Sequence, residues 1–167
     1  SVDDDYKYID GQETINYWID IDGLSPNTKY YMRAYAKNKH GVAYGVIKSF
    51  TTEDGLPDVS TQQPTATATT ITTSGVINDD GGFPIMECGV CYSTTTDVPT
   101  INGSKVISNE KSGTYYLTIP DLPMSTLYHI RAYATNENGT SYGKSLSVST
   151  TSGKPIVSTS TSYASGK

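Results

Sequence analysis

The sequence predicts an all-β sandwich built as a tandem repeat, and three observations carry that prediction. Apolar and polar residues alternate at period two, with Thr, Val and Tyr heavily used. Gly, Pro, Asn and Asp punctuate the chain roughly every 8 to 12 residues, the spacing of short strands joined by turns. A long segment also returns: GLSPNTKYYMRAYAKN at residues 23–38 reappears as DLPMSTLYHIRAYATN at residues 121–136, an offset of 98. The match runs on without a gap, from Tyr44-Gly45 to Tyr142-Gly143 and from Pro57-Asp58-Val59-Ser60-Thr61 to Pro155-Ile156-Val157-Ser158-Thr159. A period this long is a whole sandwich domain, since solenoid units run about 20 to 50 residues.

The offset sets the organisation. Residues 1–53 are the C-terminal half of one repeat, 54–152 a complete repeat, and 153–167 the first strand of a third. The arithmetic reads as a window on a longer array, in which the first unit is expected to be incomplete or completed by another chain. No secretory leader is legible, as expected of a chain that starts within a repeat. In the complete repeat the alternation places strands at 61–68, 70–77, 85–93, 105–108, 114–119, 126–136 and 141–149. The first two are rich in Thr and β-branched residues, and Asn78-Asp79-Asp80-Gly81-Gly82 then makes a turn because these residues tolerate positive φ. That run faintly resembles a calcium loop but lacks the later Glu of an EF-hand. The fifth strand alternates Tyr115, Leu117 and Ile119, as Tyr17, Ile19 and Ile21 do in the first unit. The sixth turns Tyr128, Ile130, Ala132 and Ala134 inward. Seven strands in about 95 residues is the immunoglobulin-like count, and no helical periodicity competes with it.

Leu122, Thr126 and Tyr128, like Leu24, Thr28 and Tyr30, have the spacing of a tyrosine corner, in which a Tyr early in the sixth strand bonds back across the preceding connection. Leu-x-Pro-x-Thr-x-Tyr-Tyr-x-Arg-Ala-Tyr-Ala, a following Asn and Gly, Tyr-Gly and a closing Phe-Thr-Thr together resemble fibronectin type III-like repeats of large bacterial surface and secreted proteins. Glu87-Cys88-Gly89-Val90-Cys91-Tyr92-Ser93 is similar to the third strand of that group. The resemblance covers nearly the whole chain, with Met124 and Ser125 in place of Pro26 and Asn27, and Val148 in place of Phe50. It implies fibronectin type III-like sandwich repeats in tandem, with an adhesive, spacer or accessory role outside the cell or at its surface. It implies no catalytic activity and no cofactor.

Composition narrows the partners. A net charge of −5 and a pI near 4.8 argue against nucleic acid and anionic membranes, which attract basic surfaces. No apolar run is long enough to insert into a bilayer as a helix. The chain has two His: His40 in a hairpin turn and His129 on a strand, where its repeat partner is Tyr31. A base shared by the repeats is therefore not expected, nor is an enzyme. Cys88 and Cys91 form a CxxC, but on an extended strand they lie about 10 Å apart on opposite faces, beyond the roughly 7 Å Cα limit of a disulfide. A structural role is expected, with one thiol on the core face. Asn102-Gly103-Ser104 and Asn138-Gly139-Thr140 match the glycosylation pattern and equally the Asn-Gly turn signal.

One stripe stands out as a binding candidate. His129, Arg131 and Tyr133 alternate with the inward residues of the sixth strand, as Tyr31, Arg33 and Tyr35 do in the first unit, and Arg33 and Arg131 are the only Arg residues in the chain. Rings flanking a guanidinium suit a glycan or a protein surface. The competing expectation is structural: Glu87 on the adjacent strand pairs with Arg131 while the rings cover its stem. The leading reading is thus a non-enzymatic extracellular spacer that contacts neighbouring repeats of the same protein. Pro57 and Pro155 would limit hinge freedom at short linkers such as 54–57. The alternatives are a fibre subunit completed by other copies of itself, with the strand from Pro155 as donor, and a module binding an extracellular glycan or host protein.

Overall fold

The computed structural model describes residues 19–155 and 157–159. They form two compact units divided between Asp54 and Gly55. In the first, β1 (Lys29–Met32) pairs antiparallel with β4 (Lys48–Thr51), and β2 (Tyr35–Asn38) forms a hairpin with β3 (Gly41–Tyr44). Residues 1–18, including Tyr17 of the expected alternation, lie outside the described residues.

The second unit is a sandwich of two antiparallel sheets. One holds β5 (Asp58–Thr61) and β6 (Thr65–Ala66), both paired with β7 (Ile71–Asp79), which pairs in turn with β10 (Gly113–Ile119). The other runs β9 (Ser104–Ile107), β8 (Glu87–Ser93), β11 (Leu127–Asn136), with β12 (Gly139–Tyr142) and β13 (Leu146–Ser149) both on the far side of β11. The chain crosses between sheets after β7, after β9 and after β10, which is immunoglobulin-like connectivity.

Two expected strands are each split. The stretch 61–68 opens earlier, at Asp58, and breaks at residues 62–64. Pro64 has no N–H for the β7 ladder, which resumes at Thr65 opposite Thr72. The stretch 141–149 breaks at residues 143–145, where three residues face Arg131 and Ala132 of β11 and so form a bulge. Gly143 N donates to Ala132 O (2.9 Å), and Ala132 N donates instead to the Thr61 Oγ1 of β5 (2.9 Å). A Cβ at Gly143 would sit 2.4 Å from that oxygen, so the crossing of β5 over the bulge requires glycine. After β13, Pro155 and residues 157–159 belong to no strand; Ile156 and 160–167 of the expected donor lie outside the described residues.

The inward positions of both sheets close into one core: Val59, Ile71, Ile77, Cys88, Val90, Tyr115, Ile119, Leu122, Tyr128, Ile130, Ala132 and Ala134. Cys88 is the core-facing thiol, and both cysteines are free. Tyr115 spans the sandwich. It lies opposite Gly75 on β7, where a Cβ would come within 2.2 Å of its hydroxyl, and that hydroxyl donates to Gly89 O (2.9 Å) and Tyr133 O (3.2 Å) on the other sheet.

Several hydrogen bonds recur between the repeats. Thr28 N donates to Thr52 Oγ1 as Thr126 N does to Thr150 Oγ1, each at 2.9 Å, and Gly45 N donates to Ala34 O as Gly143 N does to Ala132 O. Asn27 and Ser125, equivalent by sequence, both take positive φ, 47° and 52°. The tyrosine corner differs. Ser25 N donates to the Tyr30 hydroxyl at 2.9 Å, but the equivalent of Ser25 is Pro123, which has no N–H. The corner therefore forms in the first unit, while Tyr128 in the second serves only as a buried ring against Tyr92, 6.3 Å between centroids.

Candidate functional site: the outer face of the five-stranded sheet

Strand alternation sends Glu87, Gly89, Cys91 and Ser93 of β8, and His129, Arg131, Tyr133 and Thr135 of β11, to the side of the sheet away from the core. The register places Tyr133 opposite Gly89, Arg131 opposite Cys91 and His129 opposite Ser93. His129, Arg131 and Tyr133 were expected to face outward, with Glu87 paired to Arg131, and two corrections follow from their geometry.

The first concerns the ion pair. Glu87 does not pair with Arg131: its register partner on β11 is Thr135, four residues along. Glu87 Oε1 instead takes Lys105 Nζ from β9 at 2.6 Å and the Tyr133 hydroxyl at 2.7 Å. The Lys105 bond, then the Tyr133 bond, hold its carboxyl below the usual range. Burial, reinforced by the Glu87 bond and charge, pushes the Tyr133 phenol far up.

The second concerns exposure. Tyr133 is 0% exposed, and Arg131 is partly covered. The connection between β8 and β9, residues 94–103, folds over this end of the sheet. Its buried Pro99 offers a carbonyl to Arg131 Nη1 (3.5 Å), Ile101 N donates to the Tyr142 hydroxyl (3.3 Å), and Ser145 Oγ donates to Asp97 O. Beneath this roof the Arg131 guanidinium stacks on the Tyr142 ring at 4.3 Å, and its Nε donates to Gly143 O (3.2 Å). Cys91 is sealed in the same layer, its thiol pushed up to about 11 by burial. The stripe in the complete repeat is thus a packed second layer; only His129, bonded to Ser147 Oγ (3.1 Å), remains near its rim.

The first unit arranges the same positions differently. Tyr31 is 69% exposed, with Lys29 Nζ 5.3 Å from its ring centre. Arg33 lies over Tyr44 at 3.9 Å, and Tyr35 meets Tyr44 at 6.3 Å between centroids. His40 sits in the β2–β3 turn, where its N–H donates to Asn38 Oδ1. Among the described residues no three His, Cys, Asp or Glu side chains gather as metal ligands. At the 78–82 turn, Asp79 and Asp80 accept the Gly81 and Gly82 N–H groups, which occupies one oxygen of each carboxylate. An open depression of about 650 Å³ between residues 94–104 and Tyr92 and Tyr128 is lined by hydroxyls and rings and holds no charged group.

Lys105, Tyr142 and the roof were not anticipated as parts of this layer. Tyr142 had a signal, since its Tyr-Gly pair recurs at Tyr44-Gly45. Lys105 also had one, since the offset of 98 pairs it with Lys7, whereas Pro99 falls on Ser1 and had none.

No family model and no curated protein sequence matches the chain. Among solved structures, the chain is similar to the sensor domain of the anti-sigma factor RsgI4 of Pseudobacteroides cellulosolvens (16% identity, 57% of this chain and 94% of that one, TM-score 0.41). It is also similar to a fibronectin type III domain of the human KIAA0970 protein (15%, 65% and 85%, 0.41) and to the FN1–FN3 domains of chicken CNTN1 (18%, 78% and 46%, 0.44). The fold is fibronectin type III-like. Its own strand order makes it so: three strand positions, β5/β6, β7 and β10, face four, β9, β8, β11 and β12/β13.

Proposed function

We infer that the chain is part of a non-enzymatic, extracellular tandem array that spaces or presents the domains joined to it. The connection between repeats carries this reading. Asn27 N donates to Glu53 O at 2.7 Å, fixing the last residues of the first unit. Gly55 O accepts from the buried Asn136 Nδ2 at 2.6 Å and from Asn138 Nδ2 at 3.4 Å, fixing the first residues of the second. One residue, Asp54, lies between the two anchors. Pro57, buried, restricts the chain just beyond. Gly153, equivalent to Gly55 by the offset of 98, repeats its backbone angle, φ 69° against 70°. Loss of hinge freedom is what a spacer needs from a linker, and a linker this short has few dihedrals left to move.

The test is 15N relaxation on the 167-residue chain. Residues of both units are expected to report one rotational correlation time, and an eight-residue Gly-Ser insertion after Asp54 is expected to split it into two. Two correlation times in the unmodified chain would overturn the reading.

A further inference from the structure

The open depression of about 650 Å³ in the second unit lies where β8 ends, β9 begins and β11 starts, with Tyr92 and Tyr128 among its walls. Both rings sit at this end of the core, tilted 55° to one another. For the fold, Tyr128 is a ring and nothing more. It is 4% exposed, yet its hydroxyl has no hydrogen-bond partner among the described residues, because Pro123 stands where Ser25 supplies the N–H to Tyr30. Among the described residues no fully sealed side-chain nitrogen or oxygen lacks a partner. The Tyr128 oxygen is therefore not sealed and opens on the depression that its residue lines. A phenol so nearly buried, without a partner in the chain, is a group that a ligand satisfies.

The other walls are of two kinds. Ser93 Oγ accepts from the Thr95 and Thr96 N–H groups (3.1 and 3.2 Å) and Thr96 Oγ1 from that of Val98 (3.3 Å), so these hydroxyls shape the rim. The hydroxyls of Tyr92, Thr94, Thr100 and Ser104 form no hydrogen bond with described residues and are left for a ligand. None of the described residues lining the depression is charged. A charged ligand would give up hydration there without a counter-charge, and a purely apolar one would leave these hydroxyls unsatisfied. A neutral sugar escapes both penalties: its hydroxyls donate and accept, and its ring C–H groups pack on aromatic carbon. The chain leaves the unit elsewhere, since Thr151 N donates to Thr67 O and a Cβ at Gly153 would lie 3.4 Å from Ala68 and from Met124, none of which borders the depression. We propose that this depression binds a neutral pyranose sugar. The hydroxyls of Tyr128, Thr94, Thr100 and Ser104 exchange hydrogen bonds with those of the sugar, and the Tyr92 ring packs on its C–H face.

The experiment is a 1H–15N NMR titration of the 167-residue chain with cellotetraose, maltotetraose and mannotetraose, which are neutral, and with tetragalacturonate, which is acidic. Each is taken to about 10 mM, tenfold above a weak Kd of about 1 mM. At least one neutral oligomer is expected to shift the amides of residues 92–104 and 127–129, and tetragalacturonate to shift none of them. Tyr128→Phe keeps the ring and removes the hydroxyl, and should weaken binding about tenfold, the loss of one hydrogen bond, while the urea midpoint stays in place. Thr94→Ala, at an exposed hydroxyl, should weaken it severalfold without touching the core. Tyr116→Ala, 76% exposed on the other sheet, should leave it within about twofold of wild type. Absence of shifts with all three neutral oligomers, equal shifts with tetragalacturonate, or undiminished binding by both Tyr128→Phe and Thr94→Ala would overturn the proposal. Larger shifts of the same amides with octaproline than with any sugar would also overturn it, by assigning the depression to an extended peptide.

Discussion

Tyr115 shows how much a single side chain does in this sandwich. Its ring occupies the space left by Gly75 in its own sheet, and its hydroxyl satisfies two carbonyls of the opposite one. Tyr115→Phe keeps the ring and strands both acceptors, and is expected to cost about 1 to 3 kcal/mol in urea unfolding. The two corner tyrosines should separate: Tyr30→Phe loses a hydrogen bond from Ser25, whereas Tyr128→Phe loses none, because Pro123 offers no donor. Stability of the second unit is therefore expected to change by less than about 0.5 kcal/mol in Tyr128→Phe. Cys91 makes a pH prediction. Its thiol is raised from 9.0 to about 11, so the folded state holds the proton more tightly than the unfolded one. The resulting stabilisation is complete below about pH 9 and is lost as pH climbs through about 11. By about pH 10.5 the wild type should have lost about 2 kcal/mol more, relative to neutral pH, than Cys91→Ala, measured by urea melts of both at each pH. Tyr115 and Tyr133 are raised in the same direction mainly by burial, which both proteins share.

The elements were legible to different depths. β7, β8, β10 and β11 sit within a residue or two of the expected spans; β7 and β10 alternate between a buried and a less buried face, while β8 and the middle of β11 are buried on both. The first and last strands of the repeat were expected whole and are each broken, for reasons that alternation does not carry. Pro64 interrupts one ladder. The Gly143 bulge interrupts the other so that Thr61 can take the Ala132 amide, a contact spanning 71 residues of sequence. Gly143→Ala would push a methyl into Thr61 and is expected to cost about 1 to 3 kcal/mol. Hydrogen exchange supplies the discriminating readout: the Ala132 amide should lose protection, while amides in the β7–β10 pairing should change no more than global stability requires. Unchanged protection at Ala132 would show that the bulge tolerates the side chain.

At the scale of the molecule, the two cysteines report on the second unit as a whole. Cys88 lies in the core and Cys91 under the roof, both 0% exposed, and burial raises both thiols, which also lowers their reactivity. In the native chain a thiol reagent near pH 8 is expected to label neither. Both should become reactive at the denaturant concentration at which the β signal of the second unit is lost; earlier labelling of Cys91 alone would mean that the roof opens independently of the sandwich. What the sequence by itself determined was the repeat. The offset of 98, the alternation of each strand, the inward set Tyr128, Ile130, Ala132 and Ala134, and the corner spacing are all local or recurrent patterns, and a recurrence can be read without coordinates. Only the tertiary structure decided the fate of the outer face. Whether Arg131 meets Glu87 or Tyr142, and whether Tyr133 faces solvent or lies beneath Lys105 and Glu87, depends on register between strands and on where residues 94–103 come to rest. Those contacts join residues tens of positions apart and exist only once the sheet has formed.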